Sequence, residues 1–196
     1  MTEGDPGRVA ATHWSSRWNF DVDVELHVRR GERVIVLRSG EVDGPTPPLV
    51  RLHSACLTSE VLGSTRCDCN EQLELAMERI GQEKAGILLY FPDHEGRGIG
   101  IAEKLKAYAL QDQGENTTDA NTVLGHPVDG RDFGAAVDVL KELGVHQVRL
   151  MTNNPDKLRA LEEGGIGVHR VSAWAFASNN AASYLEHKVN AMSHLL

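Results

Sequence analysis

Three strand-like segments follow one another before any helical stripe appears, and this order constrains the fold most. Residues 22–28 (VDVELHV) alternate apolar and polar, as a half-buried strand does. Residues 33–37 and 49–52 are the next two strand candidates, and the Pro/Gly break GPTPP at 44–48 reads as a connection between them. Helical spacing first appears at Leu73, Ala76, Met77 and Ile80. From there the types alternate. An apolar run at 86–91 reads as a buried strand, and residues 101–113 read as a helix with Leu105, Tyr108 and Ala109 on one face. A helix over 133–143 is ended by Gly144, and 148–151 read as a strand. Asn154-Pro155 opens a further helix with a capping side chain and a first-turn proline, and Gly164-Gly165 stops it. A last strand over 168–171 and a helical tail over 181–196 complete the pattern. Alternation argues for an α/β layered fold, and the early run of strands excludes a purely parallel sheet. The expectation is a single layered domain with a mixed β-sheet flanked by helices.

At 196 residues the chain suits one domain, able to bury about 70% of its unfolded surface without disulfide staples. Residues 1–20 are expected as a partly ordered lead-in, 21–172 as the main domain, and 173–196 as its helical tail. Twenty Lys+Arg against 28 Asp+Glu leave a net charge of −8, which argues against broad binding to nucleic acid or anionic membrane. A small phosphate-bearing ligand needs only a few placed cations and stays open. No apolar run approaches the roughly 20 residues of a spanning helix, and the N-terminal residues lack a basic-then-apolar leader pattern. The three cysteines are odd in number and clustered, unlike a disulfide framework. The expectation is a cytoplasmic protein with reduced thiols.

Cys56, Cys67 and Cys69 form the spacing C-x10-C-x-C. Thiolates bind Zn²⁺ tetrahedrally, and three protein ligands leave a fourth position for water, as a catalytic site requires. His53 is an alternative fourth ligand, which would close the site into a structural one. Three ordinary buried thiols are the bland alternative.

His94-Glu95-Gly96-Arg97-Gly98-Ile99-Gly100 sits between a buried strand and a helix. Glycines there permit close backbone approach, the helix N-terminus offers free N–H groups to an anion, and Arg97 adds a planar fork. Arg51 and Lys157 are further cation candidates. Lys157 opposes the dipole of its own helix, so it is either solvated or has an anionic ligand. Asp129-Gly130-Arg131 puts a carboxylate and a guanidinium around a glycine; taken alone, it reads as a helix start with surface charges.

Together these residues resemble the GTP cyclohydrolase II family, from about Val50 to Val171. The most specific pieces are Arg51-Leu52-His53-Ser54, Cys56-Leu57-Thr58, Arg66-Cys67-Asp68-Cys69, Glu95-Gly96-Arg97, the run 107–114 (AYALQDQG) and Thr152-Asn153-Asn154-Pro155. The resemblance implies a catalytic domain over 21–172 that opens the imidazole ring of GTP. Formate and pyrophosphate would be released, giving 2,5-diamino-6-ribosylamino-4(3H)-pyrimidinone 5′-phosphate for riboflavin biosynthesis. It implies one Zn²⁺ per chain on Cys56, Cys67 and Cys69, Mg²⁺ with the substrate phosphates, and a homodimer. Substrate contacts would fall on Arg51, Ser54, Gln72, Glu95, Gly96, Arg97, Thr117, Thr152 and Lys157. The catalytic set would be Asp129 as proton acceptor, Arg131 as nucleophile, and Tyr108.

The chemistry suits these residues. A zinc site can lower the pKa of water towards neutrality for two C–N cleavages. Release of pyrophosphate is dominated by positioning and charge neutralisation, for which Arg97 and Lys157 are suited. A guanidinium is a poor nucleophile, so Arg131 as a phosphate clamp is the rival to its role as nucleophile. The chain departs from the family where Ala55 replaces a glutamate, where Asn70 replaces a glycine, and over residues 91–94, one residue longer than the common form. Two alternatives therefore stand beside the main reading. One is a ring-opening paralogue that stops at a formylated intermediate or serves a secondary pathway. The other is a non-catalytic zinc-containing nucleotide-binding module.

Overall fold

A computed structural model describes residues 7–113 and 117–173. Its centre is one seven-stranded mixed sheet, in agreement with the sequence expectation. The strands are β1 (Gly7–Ser15), β2 (Asp21–Arg29), β3 (Glu32–Gly40), β4 (Leu49–Ser54), β5 (Ala85–Phe91), β6 (Gln147–Met151) and β7 (Gly167–Val171). Their order across the sheet is β1-β2-β3-β5-β4-β6-β7. The first three strands and β5 pair antiparallel; β5, β4, β6 and β7 pair parallel.

The helices are α1 (Leu57–Glu60), α2 (Cys69–Gln82), α3 (Gly100–Gln111), α4 (Thr117–Val123), α5 (Gly134–Glu142) and α6 (Pro155–Glu163), with a 3-10 turn at Pro92–Arg97. Period-2 alternation sorts the central strands between two cores. Val50, Leu52, Ile87, Leu89 and Phe91 face a cluster with Val137, Leu140 and Leu161 of α5 and α6. Leu49 and Leu88 face the other cluster with Ala76, Met77 and Ile80 of α2, and Tyr90 packs on its margin. Burial on both faces explains why β5 reads as an unbroken apolar run. The cap of α6 forms as its sequence implies, with the Asn154 side chain accepting from Asp156 N at 2.8 Å.

One local detail is added to the sequence expectation, at β1, and one expectation changes, at α3. Part of the lead-in is strand β1, which pairs with β2 along its length. It lies at the sheet edge with both faces mostly exposed, so no buried face imposes an apolar alternation on its sequence. On α3 the buried residues are Lys104 and Ala107, with Tyr108 half-buried, whereas Leu105 and Ala109 are exposed. That helix packs its polar stripe on a polar site, so the apolar pattern points the wrong way. The expected tail helix over 181–196 lies outside the described residues. Among the described residues no helix is long and apolar enough to cross a membrane.

Candidate active site

The carboxyl ends of the parallel strands converge on one region, the usual location for a ligand site in an α/β sheet. From the end of β4 come Ser54 and, two residues later, Cys56, which precedes α1. Cys69 begins α2, with Cys67 just before it. The chain reversal between α1 and α2 brings the three Sγ atoms within 4.8 Å of one another, with Cys56 and Cys67 3.6 Å apart. This donor set fits a soft or borderline divalent ion such as zinc, because three convergent sulfurs form one face of a tetrahedron.

His53 is not part of this set. Its Nε2 pairs with Glu60 Oε1 at 2.8 Å and its ring stacks on Tyr90 at 5.7 Å. Glu60 also accepts from Cys56 N at 3.0 Å and from the Tyr90 hydroxyl at 2.7 Å, so one buried carboxylate fixes the turn that carries the first thiol.

A cation supports the thiols. Lys104 Nζ lies 3.0 Å from Cys56 Sγ and donates to Glu95 Oε1 at 2.5 Å, while Glu95 Oε2 accepts from Leu57 N at 2.7 Å. Hydrogen bonds from the Cys67 and Cys69 thiols, joined by the Lys104 ammonium, hold Cys56 far below the ordinary thiol range. Burial alone would lower the Lys104 pKa, but Cys56 and Glu95 outweigh it and the group stays charged. The Tyr108 hydroxyl lies 3.3 Å from Thr58 Oγ1, which is itself 3.6 Å from Cys56 Sγ. Burial raises the Tyr108 pKa, so at neutral pH it is a proton donor. The Arg66 guanidinium lies over its ring at 4.8 Å.

A second cluster faces the other side of Ser54. Asp129 holds Arg131 through Nε at 2.8 Å, through Nη2, and through the backbone N–H at 3.1 Å. Burial opposes ionisation of Asp129, but its hydrogen bonds to Arg131 prevail and its pKa is lowered. Arg131 Nη1 donates to Ser54 Oγ at 3.1 Å. His94 is buried against the face of Phe91 at 4.6 Å and the edge of Phe133 at 5.3 Å. Burial, then Arg131 and Lys157, lower its pKa to about 4. Lys157 is buried rather than solvated: its Nζ donates to Leu52 O at 2.7 Å and lies 5.2 Å above the Phe133 ring.

The remaining expected residues divide. Arg51 is buried, donating to Met151 O at 3.1 Å and to Gln72 Oε1 at 2.5 Å, and burial lowers its pKa to about 10. Its Nε has no hydrogen-bond partner, an orphan donor that a ligand acceptor would satisfy. Arg97 takes a left-handed φ of 65°, between Gly96 and Gly98, which also have positive φ. Its Nη1 donates to Val128 O at 3.4 Å and its buried Nη2 is a second orphan donor. At Gly96 a Cβ would meet Ile99 at 2.9 Å and Lys104 Cβ at 3.1 Å, so this close approach requires glycine. Thr152 is buried, and its hydroxyl accepts from Asn154 N at 3.0 Å within its own turn. Thr117 begins α4, and its side chain lies outside the described residues. Sequence reasoning missed Lys104, Glu60 and Phe133. Lys104 had a signal, because it lies four residues before Tyr108 and therefore on the same helical face.

A mixed α/β sheet with three clustered thiols that could hold a metal ion, and a cation cluster suited to an anionic ligand, both at the carboxyl ends of its parallel strands, has the make-up of an α/β enzyme site. A family model for GTP cyclohydrolase II matches residues 8–172. The chain is 48% identical over 191 residues to GTP cyclohydrolase-2 of Escherichia coli, covering 96% of this chain and 97% of that protein. It is 46% identical, with the same coverage, to GTP cyclohydrolase-2 of Enterobacter sp.. It is also 44% identical over 190 residues to the riboflavin biosynthesis protein RibBA of Aquifex aeolicus, of which it spans only 47%. The chain belongs to the GTP cyclohydrolase II family.

Proposed function

We propose that this protein hydrolyses GTP, opening the imidazole ring with release of formate and splitting off pyrophosphate, as a step in riboflavin biosynthesis. The observation that carries the reading is adjacency: Cys56 belongs to the thiol cluster, and Ser54, two residues before it, accepts from Arg131 of the cation cluster. A base held at the thiols and phosphates held at the cations would span that distance on one nucleotide. Cys56, Cys67 and Cys69 would hold one Zn²⁺, which supplies Lewis acidity and activates water near neutral pH. Tyr108, oriented by Thr58, is the proton donor during C–N cleavage. Lys104 balances the negative charge of the thiolates and fixes Glu95. Arg131, locked by Asp129, serves the phosphates together with Arg97 and Lys157, and the orphan donors of Arg51 and Arg97 take further ligand acceptors. Ser54, Gln72, Gly96, Thr117 and Thr152 complete the substrate contacts in this reading.

The reading extends to Mg²⁺ on the substrate phosphates, a cytoplasmic setting and a homodimer. Incubation of the zinc-loaded protein with GTP and Mg²⁺, followed by assays of formate and pyrophosphate, tests it. Both products are expected. Pyrophosphate without formate would leave the paralogue that stops early, and neither product would leave a nucleotide-binding module.

A further inference from the structure

Helix α3 meets the thiol-bearing segment along a single stripe. Lys104, Tyr108 and Asp112 are spaced four residues apart, so they lie one above another on one face, with Asp112 at the carboxyl end of the helix. Each reaches a different part of the stretch from Cys56 to Cys69. Lys104 Nζ lies 3.0 Å from Cys56 Sγ, the Tyr108 hydroxyl lies 3.3 Å from Thr58 Oγ1, and Asp112 Oδ1 accepts from Arg66 Nη2 at 2.6 Å. The first two contacts belong to the site already described. The third holds the residue directly before Cys67, and the proposed function uses neither of its partners.

Asp112 puts a carboxylate at the negative end of a helix whose last turn has no basic residue, so its cation must come from outside α3. Arg66 supplies it. The two side chains are 42% and 61% exposed, and an ion pair so open to water adds little to stability. What the pair fixes is the guanidinium, whose Cζ lies over the Tyr108 ring, 4.8 Å from its centroid. Lys104 approaches the same ring at 5.7 Å, but its charge is shared with Cys56 and Glu95.

We infer that Arg66, held by Asp112, is a positioning residue for Tyr108: it keeps the ring in place and stabilises the negative charge that the ring takes up when the hydroxyl gives its proton. The inference rests on the reading of Tyr108 as proton donor in C–N cleavage. In that step the C–N bond breaks, its electron pair stays on nitrogen, and the Tyr108 proton joins it. The phenolate left behind recovers a proton from solvent. Its charge spreads into the ring, so a cation over the ring attracts the phenolate more strongly than the neutral phenol. Burial works against that phenolate and a nearby cation works for it. An interaction that strengthens as the proton leaves acts on turnover, not on substrate binding.

The test is a double-mutant cycle in the zinc-loaded protein, read as formate release from GTP with Mg²⁺. Arg66→Gln is expected to lower turnover about tenfold, with the GTP dissociation constant within about threefold of wild type and one zinc per chain retained. Arg66→Lys keeps a cation and should return to within about threefold of wild type. Asp112→Asn leaves the thiol-bearing segment untouched and should cost about threefold. In a Tyr108→Phe background there is no hydroxyl proton to act on, so Arg66→Gln and Asp112→Asn should each cost less than about twofold more.

Losses that multiply in that background overturn the inference, because Arg66 would then act without Tyr108. So does loss of zinc from Arg66→Gln, which would make Arg66 a support of the metal segment alone, and so does weaker GTP binding at unchanged turnover, which would make it a substrate contact. A second readout needs no turnover. With 3-fluorotyrosine in place of tyrosine, the fluorine resonance that Tyr108→Phe removes should shift in both Arg66→Gln and Asp112→Asn; an unmoved resonance overturns the inference. Tyr108→Phe at the wild-type rate would instead overturn the proton-donor reading on which it rests.

Discussion

The two ends of the site are built on different plans. The thiolate end takes all three sulfurs from a stretch of fourteen residues, Cys56 to Cys69, supported by one lysine from α3. The cation end gathers Ser54 from β4, His94 and Arg97 from the turn after β5, Asp129 and Arg131 from the loop before α5, and Lys157 from α6. Soft ligands that grip one ion need only a tight local turn. A phosphate chain several ångströms long needs donors from several directions, which only the folded sheet supplies. The thiolate end is therefore organised by sequence spacing and the cation end by topology, and the two should fail separately.

The largest effect is expected at the thiolate end. Cys67→Ser replaces a sulfur ligand in a three-ligand set, and elemental analysis should fall from one zinc per chain towards none. Formate release should drop by about 10⁴-fold or more, since water loses its activation. Pyrophosphate release, handled at the other end, should fall by no more than about tenfold. Equal loss of both products would mean that the two ends act as one unit.

Tyr108→Phe should have a smaller and purely chemical effect. The hydroxyl touches Thr58, while the ring keeps its contacts with Arg66 and Lys104. Loss of a positioned proton donor costs about 10²- to 10³-fold in formate release. The dissociation constant for GTP should stay within about threefold. Parallel losses in affinity and turnover would make Tyr108 a binding residue.

The same contrast decides what could be read from the sequence. The mixed sheet was legible because β5 and β4 are buried on both faces, which writes burial into the apolar run of β5, and because β2 alternates apolar and polar residues, although Glu25 and His27 are buried there beside Val22 and Val24. Strand β1 was not, because an exposed edge strand leaves no such record. The thiol cluster was legible from spacing, and its missing neighbours Lys104 and Glu60 were not. A lysine or glutamate looks the same in sequence whether it faces solvent or is buried by a charge partner. At the cation end every residue but Phe133 was named, His94 only as the first residue of the glycine-rich stretch, yet each came from the family resemblance or from a weak local pattern. No sequence rule brings His94, Arg131 and Lys157 around the one ring of Phe133; the folded sheet does.

The smallest expected effect lies at the cation end and concerns stability in acid. Burial, with Arg131 and Lys157 nearby, lowers the His94 pKa to about 4, against the weaker opposite pull of Asp129 and Asp93. Glu32 faces the same ring and accepts from its Nε2–H. In the unfolded chain a histidine titrates near 6.5. Between these two values the unfolded state binds a proton that the folded state does not, so stability must fall as pH falls through that window. Below about 4 both states are protonated and the dependence ends. From pH 7 to 5.5 the contribution is about 1 kcal/mol. Other groups titrate there too, so the quantity to measure is the difference between wild type and His94→Gln in denaturant unfolding at the two pH values. Wild type should lose about 1 kcal/mol relative to the variant on acidification. A difference that stays constant, or that favours wild type in acid, would show that His94 is charged in the folded protein. In that state the cation end would carry one more cation than its geometry indicates.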